Sequence, residues 1–454
     1  ENLTKTFTAV QKIIEYSKQD HQKSICFITG VPGAGKTLAG LNIAIENQKT
    51  TGKNYSCFLT GNQPLVSVLR EALARDDNKR TGIPIGEARD NVKSFIQIIH
   101  HFRDESLKNL DIPPVDNVVI FDEAQRAWQQ AQLSNFMNEK KAAILNKLPD
   151  DTRHKILSMS EPELLIEYMN RHQDWAVIVC LVGGGQDINT GEAGIQEWFD
   201  SLRRSYPDWK VSVSNKITEE EYVGNNSFDK LIEGLNCKIV EELHLSISLR
   251  SFRSEKVANF VHHLLNNEKE QAAAIYQEIK KVYPICMTRD LNTAKEWIKK
   301  QTEGKNCRYG LIASSQAKRL RAEGIWVECK CKPEKWFLEG KNDIKSSYFM
   351  EEVATEFDIQ GLEIDYALVG WDADYRYENG HFECYKPSGS KWQTINKEDN
   401  RRYLKNAYRV LLTRAREGFI IFVPKGDDSD NTRLCKYYDE LWEYLKDIKI
   451  EEIK

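Results

Sequence analysis

The sequence has no long apolar run, no secretion-signal pattern, no metal-type cysteine pairs and no excess of positive charge. No stretch approaches the roughly 20 apolar residues needed to span a bilayer. The first residues, ENLTKTFTAV, lack the basic and then apolar order of a signal peptide. These absences exclude a membrane-spanning protein and favour a cytoplasmic one. The chain begins at Glu1 and not at Met, which leaves a missing upstream piece open.

Positive and negative charges almost balance, with 64 Lys and Arg against 68 Asp and Glu. The net charge of −4 gives no overall attraction to nucleic acid, so any such binding needs a local basic patch. The ten cysteines are scattered, and only Cys329 and Cys331 lie close together in the sequence. We therefore expect reduced thiols in preference to zinc ligands or disulfides.

Short apolar runs alternate with helical patterns in both halves of the 454-residue chain. Continuous apolar strands separated by helices predict parallel sheets covered on both faces. The predicted fold class is therefore α/β, with two tandem units at 1–243 and 244–454. A helical insertion is expected at about 126–174, and β-rich insertions are expected at about 316–347 and 372–403.

Residues 30–37, GVPGAGKT, fit the pattern G-x-x-x-x-G-K-[ST] in full. The loop lies between a predicted strand and a predicted helix, so backbone N–H groups and a helix N-terminus would surround a phosphate. Lys36 is expected on the β- and γ-phosphates of a nucleotide, and the Thr37 hydroxyl on Mg²⁺. The predicted phosphate-binding residues are Gly30, Val31, Pro32, Gly33, Ala34, Gly35, Lys36 and Thr37.

The run VVIFDEAQ supplies the acidic partner that such a loop requires. Asp122 follows four apolar residues, so it is expected at the carboxyl end of a strand, where it would hold magnesium through water. Glu123 is placed to orient and deprotonate the attacking water. We predict Thr37 and Asp122 as the metal residues and Glu123 as the catalytic base.

Arginines in the second half offer the positive charge that hydrolysis of a γ-phosphate commonly needs. LSISLRSFRS contains Arg250 and Arg253, and YRVLLTRAREG contains Arg414 and Arg416. Both segments fall in the second α/β unit. The nucleotide is therefore expected in a cleft between the units, which hydrolysis would open and close.

Five runs, in this order, resemble the motif series of superfamily 1 helicases: VVIFDEAQ, LVGGGQDINTGEAG, LSISLRS, ATEFDIQGLEIDYALVG and YRVLLTRARE. DEAQRAW, DWAVIVCLVGGGQDINTGEAG and EFDIQGLEID are more narrowly similar to the Schlafen group 3-like DNA/RNA helicase domain, over about residues 20 to 425. The resemblance implies two RecA-like P-loop domains, with ATP and Mg²⁺ as cofactors.

The resemblance also implies roles for residues outside the glycine loop. Gln186 would sense the γ-phosphate and couple it to the nucleic-acid site. Arg250 and Arg414 would be the arginine fingers, with Arg253 as the second choice for the first finger. Gly361 and Glu363 would approach the ribose of the nucleotide, and Gln125 would help to close the network of contacts.

The chain departs from the superfamily pattern at two places. Its third motif has three glycines, Gly183 to Gly185, where a Gly-Asp pair is typical. Gln11 is one match for the adenine-contacting glutamine, and a surface position on a first helix explains it equally well. The preference for adenine therefore depends on the family resemblance alone.

Aromatic residues mark the positions where a nucleic acid strand could stack. The insertions contain eight of interest: Trp326, Trp336, Phe337, Tyr375, Tyr377, Phe382, Tyr385 and Trp392. Packing within the insertions is the favoured interpretation, ahead of base stacking and of docking another protein, and packing is also favoured for Trp128. The resemblance places backbone contacts with the strand around Thr60, Gly61 and Asn62.

The predicted function is a nucleic-acid-dependent ATPase of the superfamily 1 helicase type, which translocates on or remodels DNA or RNA. Its expected partner is single-stranded or ended nucleic acid. One alternative is an ATPase switch that gates a fused or associated effector, such as a nuclease in antiviral defence, without unwinding. Another is a nucleotide-dependent kinase or a small-molecule ATPase, of which the kinase would transfer phosphate to an acceptor and not to water. The residues do not distinguish DNA from RNA.

Overall fold

The computed structural model describes residues 2–30, 33–51, 56–183, 194–217, 228–246 and 252–454. The chain groups into two compact units, of which the first comprises Glu1–Val66 and Leu73–Arg250. The second comprises Ser67–Ala72 and Ser251–Lys454. Each unit has a parallel β-sheet and surrounding helices, so the predicted α/β class with two tandem units is confirmed.

The sheet of the first unit has the strand order β3-β2-β4-β5-β1-β6-β7, with β8 also paired to β1. All of these pairs are parallel. The strands are β1 Lys23–Gly30, β2 Ser56–Thr60, β3 Ile96–Ile98, β4 Val118–Phe121, β5 Ala176–Gly183, β6 Lys210–Val213, β7 Asn236–Ile239 and β8 His244–Leu245. Strand β5 thus lies between β1, which enters the glycine loop, and β4, which Asp122 follows.

The helices of the first unit include the predicted helical insertion between β4 and β5. They are α1 Asn2–Gln19, α2 Lys36–Thr51, α3 Gln63–Thr81, α4 Ile85–Phe95, α5 Ile99–Lys108, α6 Gln130–Lys140, α7 Ala142–Leu145, α8 Asp150–Leu157, α9 Glu161–Asn170, α10 Gln196–Ser205 and α11 Phe228–Ile232. Helices α6 to α8 share a small apolar core of their own, to which Leu107 and Leu164 contribute.

The second unit has a parallel sheet in the order β11-β10-β12-β16-β9-β17 and a separate three-stranded antiparallel sheet. Its strands are β9 Ile285–Thr288, β10 Tyr309–Ala313, β11 Val353–Ala354, β12 Ile364–Gly370, β13 Tyr375–Glu378, β14 His381–Ser388, β15 Lys391–Thr394, β16 Ala415–Phe422 and β17 Glu451–Glu452. Its helices are α12 Phe252–Leu265, α13 Lys269–Ile279, α14 Leu291–Gln301, α15 Pro333–Leu338, α16 Glu398–Leu412 and α17 Lys436–Asp447. Among the described helices of both units, none is apolar over the length that a membrane crossing needs.

The two insertions of the second unit differ from each other. The insertion at 372–403 is β-rich as predicted, because β13, β14 and β15 form consecutive hairpins there. The prediction is wrong for 316–347, where every residue is described and none is in a strand. This insertion folds as a 3-10 helix at Lys318–Glu323 and as α15, which starts with a proline. Its Trp336 is fully buried and fills the space beside Gly310 of β10.

Helix α2 packs unusually close to the first sheet because of a glycine. A Cβ atom added to Gly40 would lie 2.6 Å from Leu181 Cδ1 and 2.9 Å from Ile120 Cγ2. These neighbours belong to β5 and β4, so the helix that leaves the glycine loop lies directly over the centre of the sheet. The close approach fixes the position of Lys36 and Thr37 in the first turn of α2.

We predict that Gly40→Ala destabilises the protein by about 1–3 kcal/mol, because the added methyl group overpacks a filled core. Denaturant unfolding of the purified protein measures the change. Gly86→Ala is the matched control, since an added Cβ at Gly86 of α4 meets nothing within 4 Å. Equal stability of the two variants would contradict the packing argument.

A buried carboxyl group lies after β12 in the second unit. Asp374 is fully buried and accepts hydrogen bonds from Tyr408 Oη at 2.5 Å and from Ser314 Oγ at 2.7 Å. Burial, together with the nearby carboxylate of Asp372, raises the pKa of Asp374 to about 8. The folded protein therefore holds a proton at neutral pH that the unfolded chain has released.

This proton makes stability depend on pH. Because the pKa of Asp374 is higher in the folded protein than in the unfolded chain, protonation of Asp374 stabilises the fold. This stabilisation is complete below the unfolded pKa near 4 and is lost as pH rises to about 8. We predict that Asp374→Asn, which keeps a neutral group of the same shape, flattens the fall in unfolding free energy between pH 5.5 and 8. Denaturant midpoints at both pH values test this, and an unchanged slope would contradict it.

Candidate active site

The glycine loop starts where β1 ends. A Cβ atom added to Gly30 would lie 2.8 Å from the Cβ atom of Leu245, so no side chain fits at this strand end. Gly33 and Gly35 have φ values of 76° and 83°, a backbone conformation that glycine adopts readily. Ala34 between them is buried. Val31 and Pro32 lie outside the described residues, so their predicted contacts with phosphate stay predictions.

The structure brings Lys36, Thr37 and Asp122 together at the carboxyl ends of β1 and β4. Lys36 Nζ donates to the carbonyl oxygen of Gly30 at 2.7 Å, which folds the ammonium group back over the loop. Thr37 Oγ1 donates to both carboxylate oxygens of Asp122, at 3.1 and 3.3 Å. The predicted metal residues are therefore direct neighbours, although 85 positions separate them in the sequence.

Asp122 is almost fully buried, with 4% of its surface exposed. Burial and the adjacent Glu123 carboxylate raise the pKa of Asp122 to about 7, against the opposing effect of the Thr37 hydroxyl. A bound cation would stabilise the charged form of this buried carboxylate. The carboxylate and hydroxyl oxygens also match the hard donors that Mg²⁺ prefers, so the residues present fit the predicted ion.

Glu123 has a left-handed backbone conformation, with φ 55° and ψ 47°. Residues with a Cβ atom rarely adopt this conformation unless surrounding contacts hold them there. Its carboxylate oxygen Oε2 accepts a hydrogen bond from Gln125 Nε2 at 2.6 Å and pairs with Arg126 Nε at 3.4 Å. Gln125 in turn accepts a hydrogen bond from the backbone N–H of Gly183 through its Oε1, at 3.1 Å.

A buried ion pair between α5 and α9 holds the segment that follows Glu123. Arg103 of α5 and Glu161 of α9 are both buried and lie 2.8 Å apart. The other carboxylate oxygen of Glu161 accepts from the backbone N–H of Trp128 at 2.9 Å, and the N–H of Glu161 donates to the Trp128 carbonyl at 2.9 Å. Trp198 Nε1 also donates to the carbonyl oxygen of Ala124 at 2.9 Å.

In the second unit, two predicted motifs meet at adjacent strand starts. The N–H of Ile364, directly after Glu363, donates to the carbonyl oxygen of Arg414 at 3.2 Å. Gly361 has a φ of 76°, so the turn before β12 uses its conformational freedom. Arg414 Nε donates to Val410 of α16 at 3.1 Å. Glu363 and Arg414 are therefore neighbours within the second unit.

Comparison with known proteins decides the family. The model of the Schlafen group 3, DNA/RNA helicase domain matches residues 23–425. The chain belongs to this family. Among curated proteins, none matches.

Two solved structures have low similarity to this Schlafen group 3 domain. One is the DUF1998 helicase MrfA bound to DNA, with 12% identity and a TM-score of 0.32 over 99% of this chain and 51% of that one. The other is Mss116p bound to ssRNA and AMP-PNP, with 11% identity and a TM-score of 0.30 over 95% of this chain and 70% of that one. The chain thus spans about half the length of the first structure.

Gln186 and Arg250, which the family resemblance suggests, lie outside the described residues, so their roles stay predictions. Arg253, the second choice for the first finger, lies in the first turn of α12. Near the expected path of the strand, Asn62 caps α3 by accepting a hydrogen bond from the N–H of Leu65 at 3.2 Å.

The aromatic residues of the insertion at 372–403 mostly pack against one another, as the favoured interpretation predicts. The guanidinium of Arg376 lies between the rings of Tyr385 and Tyr437, 3.9 Å from each ring centre. Tyr375 and Phe382 stack at 4.8 Å. In the first unit, Trp128 is half-buried and packs against Phe136 at 5.2 Å, with Arg103 over its ring. Trp326 is the exception in the other insertion, with 47% exposure.

Sequence reasoning missed two sets of residues around the site. Thr29, at the end of β1, is linked to Ser214 at 2.5 Å and to His244 Nδ1 at 2.9 Å. The Arg103–Glu161 pair joins helices whose patterns gave no reason to connect them. The sequence signal in this region is SEPE at 160–163, because serine is a preferred residue at the start of a helix. Ser160 does cap α9, by accepting a hydrogen bond from the N–H of Glu163.

We predict that Glu161→Ala lowers the free energy of unfolding by about 3–5 kcal/mol, because it leaves the buried Arg103 charge without a carboxylate partner. Chemical denaturation measures the loss, and Glu139→Ala on the exposed face of α6 is the control. The double variant Arg103→Met with Glu161→Met should be more stable than the single variant, since it removes both charges. A loss from Glu161→Ala no larger than that of the control would refute the prediction.

Proposed function

We propose that this protein is a nucleic-acid-dependent ATPase of the superfamily 1 helicase type. In this proposal, hydrolysis of ATP drives translocation on, or remodelling of, a single-stranded or ended DNA or RNA. The observation that carries the proposal is the meeting of Lys36, Thr37, Asp122 and Glu123 at two strand ends of one parallel sheet. Membership of a DNA/RNA helicase domain family supports the nucleic-acid part.

The residues of the first unit would divide the work on the nucleotide. The loop Gly30 to Gly35 would surround the phosphates with N–H groups, and Lys36 would exchange its bond to Gly30 for phosphate oxygens. Thr37 and Asp122 would hold Mg²⁺, which supplies charge neutralisation at the phosphates when bound. Glu123 would orient the attacking water and take its proton.

Residues of the second unit and of the third motif complete the proposal. Arg414 would neutralise charge on the γ-phosphate as an arginine finger, and Arg250 would act in the same way. Glu363, next to Arg414 in the second unit, would approach the ribose. Gln186 would report the state of the γ-phosphate to the nucleic-acid site.

A second candidate is an ATPase that gates a fused or associated effector without unwinding. The net charge of −4 favours it, since the whole chain supplies no attraction to a polyanion. The two candidates differ in what stimulates hydrolysis. A motor responds to a nucleic acid track, whereas a gate of this kind responds to a protein partner or to particular nucleic acid ends.

We predict that a single strand of one type stimulates ATP hydrolysis and that salt weakens the stimulation, because phosphate contacts release counterions. Lys36→Ala should abolish hydrolysis, and Glu123→Gln should lower kcat by about 100-fold or more, since it removes the base. Steady-state phosphate release with single-stranded DNA, duplex DNA and single-stranded RNA measures these effects. Glu139→Gln, on the exposed face of α6, is the matched control.

The outcomes separate the candidates. Full hydrolysis by Lys36→Ala would refute the assigned site. Hydrolysis by the wild type that ignores every nucleic acid would favour the gate over the motor. Transfer of phosphate to an acceptor in place of water would indicate a kinase.

A further inference from the structure

The turn between α12 and α13 is a Schellman motif, a helix ending that two backbone hydrogen bonds close. The N–H of Glu268 donates to the carbonyl oxygen of His263 at 2.9 Å. The N–H of Asn267 donates to the carbonyl oxygen of Leu264 at 3.3 Å. Asn267 has a φ of 64°, the left-handed conformation that such a turn uses. This motif brings the side chain of Glu268 against the residues five and six positions before it, which are His263 and His262.

An apolar contact often accompanies this motif, but here the three positions carry side chains of the types that bind metal ions. Glu268 Oε2 pairs with His263 Nδ1. One ring nitrogen from each of His262 and His263 and one carboxylate oxygen of Glu268 lie within 4.8 Å of one another. In the part of the chain that the structure describes, this is the one group of three His, Cys, Asp or Glu side chains with ligand atoms this close. None of the three is buried, so an ion from solvent can reach them.

Neighbouring side chains hold the turn and the ring of His262. Tyr377 Oη donates to Asn267 Oδ1 at 2.9 Å, which fixes the left-handed residue. Lys405 Nζ donates to the amide oxygen of Asn266, so the amide nitrogen of Asn266 faces Nε2 of His262, at 2.8 Å. Because an amide N–H can only donate, Nε2 of His262 is unprotonated and accepts. This is the state in which an imidazole nitrogen binds a metal ion.

From this geometry we propose that His262, His263 and Glu268 bind a divalent transition metal ion of the Zn²⁺ type. Two imidazole nitrogens and one carboxylate oxygen form a donor set that zinc accepts, with its fourth position open to water. The carbonyl end of α12 adds the negative end of the helix dipole. A bound ion would join the last turn of α12 to the residue that precedes α13. The site lies within the second unit and does not depend on the proposed ATPase activity.

The binding step needs little movement. Ligand atoms on a tetrahedral zinc ion lie about 3.3 Å apart when the metal–ligand bonds are about 2.0–2.1 Å long. The present separations of up to 4.8 Å therefore close by small rotations of side chains that face solvent. The ion takes the place of the proton between His263 Nδ1 and Glu268 Oε2, and that proton passes to solvent.

The test is a calorimetric titration of the whole 454-residue chain with Zn²⁺, without nucleotide. The wild type should bind a single Zn²⁺ at this site. His262→Ala, His263→Ala and Glu268→Gln should each weaken that binding by about tenfold or more, because even residues that only orient metal ligands contribute this much. Thermal unfolding without metal verifies that each variant is folded.

Thiols are the main competitors for zinc, and Cys329 is exposed with Cys331 two positions away. Co²⁺ distinguishes the two kinds of site, because soft thiolate ligands give it intense charge-transfer absorption and imidazole and carboxylate ligands do not. The wild type and the double variant Cys329→Ser with Cys331→Ser should show the same weak Co²⁺ bands. These bands should disappear in His263→Ala.

The matched control is another histidine that pairs with a carboxylate. His21 Nδ1 pairs with Asp174 on the surface of the first unit. Among the described residues, no third His, Cys, Asp or Glu ligand lies close enough to complete a site there. His21→Ala should therefore leave Zn²⁺ binding unchanged.

The outcomes are distinct. Binding that all three ligand variants weaken, and that the cysteine and His21 variants keep, supports the site. A wild type that binds no Zn²⁺ overturns the proposal, and so does binding that survives in His263→Ala and Glu268→Gln. Loss of binding in the double cysteine variant would assign the zinc to thiols and overturn the proposal as well.

Discussion

The site of the first unit depends on two neighbouring strand ends at which no side chain fits. Gly30 and Gly183 are register partners in β1 and β5, and each faces atoms that a Cβ would displace. On one side Leu245 occupies the space, and on the other side the amide of Gln125 does. Because neither glycine carries a side chain, Leu245 and the Gln125 amide pack directly against the backbone of these strand ends. At the same edge of the sheet, the hydroxyl of Thr37 after the glycine loop reaches the carboxylate of Asp122.

Much of this architecture was predictable because buried parallel strands are continuous apolar runs. The apolar residues of DWAVIVCLVGGG form β5 at Ala176–Gly183, and the strand predicted before the glycine loop is β1 at Lys23–Gly30. The meeting of Thr37 and Asp122 followed from the same logic, since carboxyl ends of parallel strands share an edge. The glycine-loop and DEAQ motifs identified Thr37 and Asp122 as the residues of interest. The predicted positions of the strands indicated that the two would lie close together.

Other features depended on pairings that no local pattern encodes. Arg103 and Glu161 are 58 positions apart in the sequence and lie on two different helices. The contact of Gln125 with Gly183 depends on β5 lying next to β4, which is a property of the whole sheet. In the insertion at 316–347, the turn signal LEGKN suggested a β-rich segment, but Trp336 lies in a short helix and packs against Gly310 of β10. Gln186 and Arg250 remain predictions from the family resemblance.

The paired hydrogen bonds between Trp128 and Glu161 close the base of the chain excursion that runs from α6 to α8. The helices beyond this closure share their apolar cluster with Leu107 of α5 and Leu164 of α9. The guanidinium of Arg103 also lies 4.6 Å from the ring centre of Phe136 in α6. A change of length or sequence in the excursion would therefore reach the segment after Glu123 through α5 and α9, the two helices whose buried charges hold that segment.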